Sequence, residues 1–289
     1  MLANEGHDNW ITVTVLLARR AGDIVTADGG ISLTQYRMLL RLLGNDGSCT
    51  NGTLCQELSL SPSTVTAAVS DLQSRGAVKR LDDSFDGRVV HIALTDEGHA
   101  LVKRIDPAIC RLAHDFWSVY DESELAMTKK DSAGTVLGRR LAYMTVDGIS
   151  IENAYVDSAL VTLSSLNSHM KRANISLNEY RIMHLLAKEG ALRPRDISRK
   201  LLLRSNEVTV AASKLVKHNR ITRVRVEGDR RAAQLEVTQA GKDKLSRMTP
   251  AIIESLQNDI TELSEDAFDV YDSIASKILS RYSRDHLIL

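Results

Sequence analysis

The chain has 289 residues, 43% hydrophobic but only 4% aromatic, with four prolines, which is enough for two helix-rich domains with cores of their own. Lys and Arg number 37 and so do Asp and Glu, so net charge is zero and any surface for nucleic acid has to be local. Three cysteines without paired spacing argue against a disulfide framework or a zinc site, no apolar run approaches the roughly 20 residues of a membrane span, and the opening MLANEGHDNW lacks the basic start of a signal peptide, so a cytoplasmic chain that meets no membrane is expected.

Taken in order, Asn9 to Val25 has the spacing of a helix, and Gly29-Gly30 breaks it. A second helix starts in Ile31-Ser32-Leu33-Thr34, with Thr34 as the expected N-cap, and runs to about Leu43. Asn45 to Asn51 reads as a loop or short strand, and Gly52 to Leu58 as a short helix. Ser61 then suits an N-cap and Pro62 the first helical position. Val65, Ala68, Val69 and Leu72 form one apolar face, Ser63, Thr66, Ala67, Ser70 and Ser74 share the opposite one, and Gly76 ends the helix. Ala77 to Leu81 and Arg88 to Leu94 read as strands joined by a polar turn. Thr95 caps a long helix to about Tyr120, in which Pro107 should introduce a kink, and another helix runs from about Ser123 to Met144. Asp147-Gly148 is the best boundary, dividing the chain into residues 1–146 and 149–289.

Beyond that boundary the chain repeats itself. Ile31-Ser32-Leu33-Thr34-Gln35-Tyr36-Arg37 recurs as Ile175-Ser176-Leu177-Asn178-Glu179-Tyr180-Arg181, 144 positions on. At an offset of 143, Val65-Thr66 returns as Val208-Thr209, Asp86-Gly87-Arg88 as Asp229-Arg230-Arg231, Thr95 and Gly98 as Thr238 and Gly241, and Pro107-Ala108-Ile109 as Pro250-Ala251-Ile252. Two copies make a fused pair of similar domains rather than a solenoid.

The order helix, short strand, basic hairpin is that of a winged helix-turn-helix. SPSTVTAAVSDLQSRGAVKR, followed by Asp86-Gly87-Arg88 and by LTDEG, resembles the MarR family of bacterial transcription regulators. The resemblance implies sequence-specific binding of double-stranded DNA by dimers whose terminal helices pack together, with release by a small ligand or an oxidant. It also implies that Arg88 and Arg231 are the wing arginines that enter the minor groove. Asp86 and Asp229, two residues earlier, would orient those guanidinium groups. The fold expected is therefore mainly α with small β-wings: two winged helix-turn-helix domains joined through a shared helical layer of the kind that dimerises family members. One chain then stands in for a dimer, as a pseudo-dimer, and whether chains associate further is left open.

The halves differ in charge. Residues 1–150 carry 15 basic and 19 acidic side chains and residues 151–289 carry 22 and 18. In the winged segments the contrast is 4 against 6 for residues 45–88 and 13 against 5 for residues 188–231. The second domain is thus expected to hold the DNA backbone more strongly. The expected DNA-contacting residues of the first domain are Ser61, Ser63, Thr64, Thr66, Ala67, Ser70, Ser74, Lys79, Arg80 and Arg88. Those of the second are Arg204, Ser205, Asn206, Thr209, Val210, Ser213, Lys214, Lys217, Arg223, Arg225, Arg230 and Arg231. Asn206 suits adenine and the methyl groups of Thr209 and Val210 suit thymine, so one chain can read two unlike half-sites. Glu207 would be repelled by phosphate unless it turns away, and Asn219 stands where the first domain has Gly76.

Other residues give less. Trp10, Tyr36 and Tyr180 could line a crevice for a small aromatic effector, although core packing accounts for them as well. Cys55 fits a core position and Cys49 a loop open to chemistry. His91, His99, His114, His184 and His218 lack metal-ligand spacing, and His184 fits a core position. With no Gly-rich phosphate loop, HExxH, CxxC or nucleophile elbow, an enzyme is not expected and neither is a cofactor. The competing reading is a degenerate winged-helix module for protein interaction, which the acidic first half keeps open.

Overall fold

A computed structural model describes residues 7–82, 90–136, 145–146, 148–226, 229–259 and 267–284. Their order is α1 (His7–Gly29), α2 (Leu33–Gly44), β1 (Ser48–Thr50), α3 (Asn51–Leu58), α4 (Pro62–Ser74), β2 (Val78–Asp82), β3 (Val90–Leu94), α5 (Asp96–Trp117), α6 (Glu122–Val136), β4 (Thr145–Val146) and β5 (Ile149–Ser150). The second repeat follows with α7 (Ile151–Arg172), α8 (Leu177–Glu189), α9 (Pro194–Leu201), α10 (Ser205–Lys217), β6 (Ile221–Val226), β7 (Asp229–Val237), α11 (Gln239–Asp259) and α12 (Ala267–Arg284). The chain is mainly helical, with a small antiparallel wing sheet in each repeat.

Helix starts follow side-chain chemistry. The hydroxyl of Ser32 accepts from the Gln35 backbone N–H at 3.3 Å, and Gln35 Oε1 accepts from the Ser32 N–H at 2.7 Å. This reciprocal pair makes Ser32, and not Thr34 as expected, the N-cap of α2. Ser176 does the same for α8 by accepting from the Glu179 N–H at 3.2 Å. Helix α1 runs to Gly29, past the expected end at Val25, and Gly30 takes φ +65°.

The sheet registers preserve the duplication. β3 pairs with β2 from Val78↔Leu94 to Asp82↔Val90 and with β1 through Cys49↔Ile92. In the second repeat β6 and β7 pair alone, but an isolated bridge joins Leu192 to Leu235, each 143 positions beyond Cys49 and Ile92. Cys49 is therefore a strand residue, 6% exposed, rather than a reactive loop thiol, while Cys55 is half-buried where a core position was expected. Burial, with the charge of Glu57 added, pushes the Cys49 thiol up to about 12.

Two compact units result. One spans Thr14–Val161, and the other consists of the residues up to Val13 together with those from Thr162 on. Each unit includes the opening turns of the other repeat's first helix. In the first unit Asp157 of α7 accepts from Arg37 Nε and Arg41 Nη2 of α2, with all three side chains buried. Tyr36 donates to Asn153 Oδ1 at 3.1 Å, and Asn153 Nδ2 donates to Asp106 of α5. In the second unit Asp8 of α1 lies 2.6 Å from His184 Nδ1, and Arg181 Nη2 donates to Thr12 Oγ1 at 2.9 Å and to the Leu201 carbonyl at 2.7 Å.

These contacts bear on the aromatic crevice. Tyr36 and Tyr180 are 1% and 0% exposed, and the Tyr180 hydroxyl lies 3.5 Å from Thr249 Oγ1. Burial pushes both phenols above their ordinary range. Trp10 is half-buried and stacks on Tyr271 with ring centroids 5.8 Å apart. Tyr36 and Tyr180 serve as core anchors instead of presenting a ligand surface. Among the described residues no helix is long and apolar enough to cross a membrane, and no group of three or more His, Cys, Asp or Glu is gathered for a metal ion.

Candidate nucleic-acid interface

In each unit a short helix, a left-handed turn and a longer helix are followed directly by the wing. Val65, Val69 and Leu72 of α4 are fully buried against the unit, and such side chains contribute about 1.5–3 kcal/mol each relative to exposure. That burial orients the other face outward. Ser61, Ser63, Thr64, Thr66, Ala67, Ser70 and Ser74 are all exposed. Val208, Ala211, Ala212 and Leu215 are buried from α10 in the same way. Arg204, Ser205, Asn206, Thr209, Val210, Ser213, Lys214 and Lys217 are exposed, and Val210 is 57% accessible despite its apolar side chain.

The turn before each exposed helix uses a left-handed residue at equivalent positions, Ser59 at φ +53° and Leu202 at φ +51°. After it the two helices start differently. Ser61 Oγ accepts from the Thr64 N–H at 3.3 Å, with Pro62 in the first turn. Arg204 has no acceptor to offer, so Glu207 bends back and takes the Arg204 N–H at 2.7 Å. Glu207 is thus held at the helix start. Asn206 Oδ1 accepts from the Glu207 N–H at 2.9 Å, which leaves its second lone pair and the Nδ2 donors for any further contact. Thr209 donates to the Ser205 carbonyl at 2.9 Å and Ser74 to the Asp71 carbonyl at 2.7 Å.

The far ends match closely. Gly76 and Asn219 both take positive φ, +73° and +53°. The Thr95 hydroxyl donates to the Gly76 carbonyl at 2.6 Å and accepts from the Gly98 N–H at 3.1 Å; Thr238 does the same with Asn219 at 2.7 Å and Gly241 at 3.1 Å. The joint fixes the wing against the helix that precedes it. Lys79 and Arg80 are exposed on β2, and Arg223 and Arg225 on β6. Asp86 and Arg88 lie outside the described residues. Asp229, Arg230 and Arg231 belong to β7, but their side chains lie outside the described ones, so the proposed orientation of the wing arginines has no geometry to report.

Sequence reasoning missed the polar clamp that seats each exposed helix. In the first unit Gln35 Nε2 donates to Asp71 Oδ2, and Arg75 Nε donates to the same oxygen at 2.9 Å. The Gln35 amide, then Arg75, hold the Asp71 carboxyl below its ordinary value. In the second unit the polarity is inverted. Glu179 stands for Gln35 and Lys214 for Asp71, with their charged atoms 3.9 Å apart and Arg220 4.0 Å from the other oxygen. The paired exchange is visible on aligning the two repeats, and that alignment was the signal available. Cationic excess continues behind this clamp. Lys244 donates to the Ala173 carbonyl at 2.7 Å, and burial, then Arg220 and Arg247, lower its pKa.

Both repeats are similar to known proteins. The MarR family matches residues 29–89, and the family described as transcriptional regulator SarA/Rot matches residues 165–248. The transcriptional repressor MprA of Escherichia coli K12 is 28% identical over 127 residues, 43% of this chain and 69% of that protein. The HTH-type transcriptional regulator PecS of Dickeya dadantii is 31% identical over 111 residues, 38% of this chain and 67% of that protein. The crystal structure of AbsC, a MarR family transcriptional regulator from Streptomyces coelicolor, is 17% identical and covers 45% of this chain and 90% of its own, at a TM-score of 0.40. With two exposed helices set on matching winged frames and both repeats matched by regulator families, the chain belongs to the MarR family of DNA-binding transcriptional regulators and carries two such domains in tandem.

Proposed function

We propose that this chain is a repressor that reads two unlike half-sites of one operator, with residues 1–146 and 149–289 as its two reading domains. α4 and α10 would each enter a major groove, with half-sites about one helical turn apart. The observation that carries this reading is the divergence of the exposed faces within matched frames. α4 presents hydroxyl and methyl groups from Ser63 to Ser74, whereas α10 presents Asn206, Val210, Lys214 and Lys217. Two different faces favour two different sequences, which identical subunits could not read. Lys79, Arg80, Arg223 and Arg225 would meet phosphates, with Arg88, Arg230 and Arg231 at the wing tips. The chain would act in the bacterial cytoplasm, at the nucleoid. Release by a small aromatic effector draws no support from Tyr36 and Tyr180, so the reading rests on the DNA-facing surface alone.

Selection of bound sequences from random duplex DNA tests it. The expected product is a non-palindromic site of two dissimilar elements, bound by one chain. Enrichment of a perfect palindrome, or of a single element, would overturn the half-site reading. Failure to enrich any duplex sequence would favour the protein-interaction alternative.

A further inference from the structure

The cationic surface of the second unit does not stop at α10, because two clefts border that helix. The smaller, about 230 Å³, lies between its exposed face and the start of α8, where Asn178 meets Asn206, Val210 and Lys214. The larger, about 520 Å³, lies beside its C-terminal end and brings Lys171, from the last turn of α7, together with Lys214, Lys217 and His218. Ser176, Glu179 and Lys214 line both clefts. One continuous surface therefore leads from the proposed base-reading residues to the end of α7. Lys171, Lys214 and Lys217 are all exposed along it. Among the described residues, the one carboxylate lining the larger cleft is that of Glu179, which is buried and lies 3.9 Å from Lys214 and 4.0 Å from Arg220.

Lysines near a helix C-terminus interact favourably with the helix dipole, a role that needs no partner molecule. The matching helices of the first repeat do without it. α1 and α4 have no basic residue in their last turns, and Ala27, Asp71 and Ser74 stand where the second repeat has Lys171, Lys214 and Lys217. Asp28 stands where the second repeat has Arg172. Since α4 and α10 are both 13 residues long and end at equivalent positions, the frame itself does not demand these cations. The cationic surface is particular to one half of a duplicated molecule.

We propose that the second unit holds the backbone of duplex DNA along a phosphate track that runs from α10 onto the end of α7, with Lys171 as its outer contact, and that the first unit has no counterpart. Duplex DNA carries one negative charge for about every 1.7 Å of its axis, so a series of ammonium groups along a surface finds a series of phosphates to meet. Continuity with the exposed face of α10 puts the track beside the residues proposed to read bases. The track rests on the reading of α10 as a DNA-facing helix and adds an asymmetry to it. The half-site read by α10 would be gripped over more of its backbone than the one read by α4.

The test measures the affinity of the full chain for its selected duplex and for a random-sequence duplex over a series of KCl concentrations. Lys171→Ala removes the outer contact and leaves α10 intact. It should weaken both complexes about three- to tenfold and reduce the slope of log affinity against log salt by about 1. Lys171→Arg should restore both values, and Lys130→Ala, which removes the same charge from α6, should change neither. On the selected duplex, ethylating the phosphates that Lys171 meets should hinder the parent chain but not Lys171→Ala. Those phosphates should belong to one half-site only, the one whose sequence preference changes in Asn206→Ala. An unchanged salt slope in Lys171→Ala, with sequence-selective binding intact, would overturn the track and leave the operator reading standing. A lowered unfolding temperature with that unchanged slope would assign Lys171 to the helix dipole instead. Lys171-dependent phosphates at both half-sites would overturn the asymmetry. A reduced slope in a chain without sequence preference would uphold the track while removing the half-site reading.

Discussion

Asn219 shows how a single residue type can stand in for glycine. It takes φ +53° where the first repeat has Gly76 at +73°, and of the residues with a β-carbon, Asn and Asp tolerate this region best. Asn219→Gly should therefore leave thermal stability unchanged or raise it, whereas Asn219→Val should lower it by about 1–2 kcal/mol, as measured by denaturant unfolding. Cys49 makes the opposite point. Its thiol is pushed up to about 12 in the fold, while an unfolded thiol ionises near 9.0. Below pH 9 both states are protonated and the group contributes no pH dependence. From pH 9 to 12 the unfolded chain binds fewer protons, so stability should fall, by at most about 1.4 kcal/mol per pH unit. The difference between the parent chain and Cys49→Ala across that window isolates this effect. In the native protein, alkylation at pH 8 should reach Cys55 before Cys49. The burial of Cys49 could not be read locally, because β1 is three residues long and owes its existence to pairing with β3 some forty positions later.

At the scale of elements, much was legible. Ser61, Pro62 and the spacing of Val65, Val69 and Leu72 mark α4 from both its start and its buried face, because capping and periodicity are local properties. The joint between helix and wing was legible only as matching letters. Its physical content is that a β-carbon on Gly98 would lie 2.2 Å from the Ala77 carbonyl oxygen, and one on Gly241 2.2 Å from that of Arg220. Gly98→Ala and Gly241→Ala should each cost about 1–3 kcal/mol and displace the wing, which chemical-shift changes across β2 or β6 would register. The clamps were not legible, since side chains meeting across two helices leave no local pattern. They make a reciprocal prediction. Lys214→Asp places a second carboxylate beside Glu179 and should destabilise the second unit, and adding Glu179→Gln recreates the pair found in the first unit and should restore the loss. Because Lys214 is well exposed, the coupling should amount to several tenths of a kcal/mol, measured as a double-mutant cycle.

For the whole molecule, unequal charge is the property with the plainest readout. Segment 188–231 carries 13 basic and 5 acidic residues against 4 and 6 for segment 45–88. Replacing Arg223 and Arg225 by alanine should weaken DNA binding across all sequences and reduce the slope of log affinity against log salt by about 1 per residue. The same pair of changes at Lys79 and Arg80 tests how far the first domain holds the backbone. The repeat and its winged frames were legible in the sequence, because duplication leaves matching residues at a fixed offset. The exchange of helix ends between compact units was not, because nothing in α1 or α7 says which frame its first turns will meet.

That exchange decides what happens if the polypeptide is divided. Asp157 neutralises the buried Arg37 and Arg41, and the position of α1 equivalent to Asp157 is Val13. Residues 1–150 alone, even doubled on themselves, would set an aliphatic group against two sequestered guanidiniums. Breaking a buried ion pair by removing one partner costs about 3–5 kcal/mol, a large part of the stability of an ordinary domain. Produced singly, that fragment should fail to accumulate in folded form, and co-production with residues 149–289 should rescue it as a one-to-one heterodimer. The counter-charge for the first repeat's arginines would thus tie that half to the helix that opens the second.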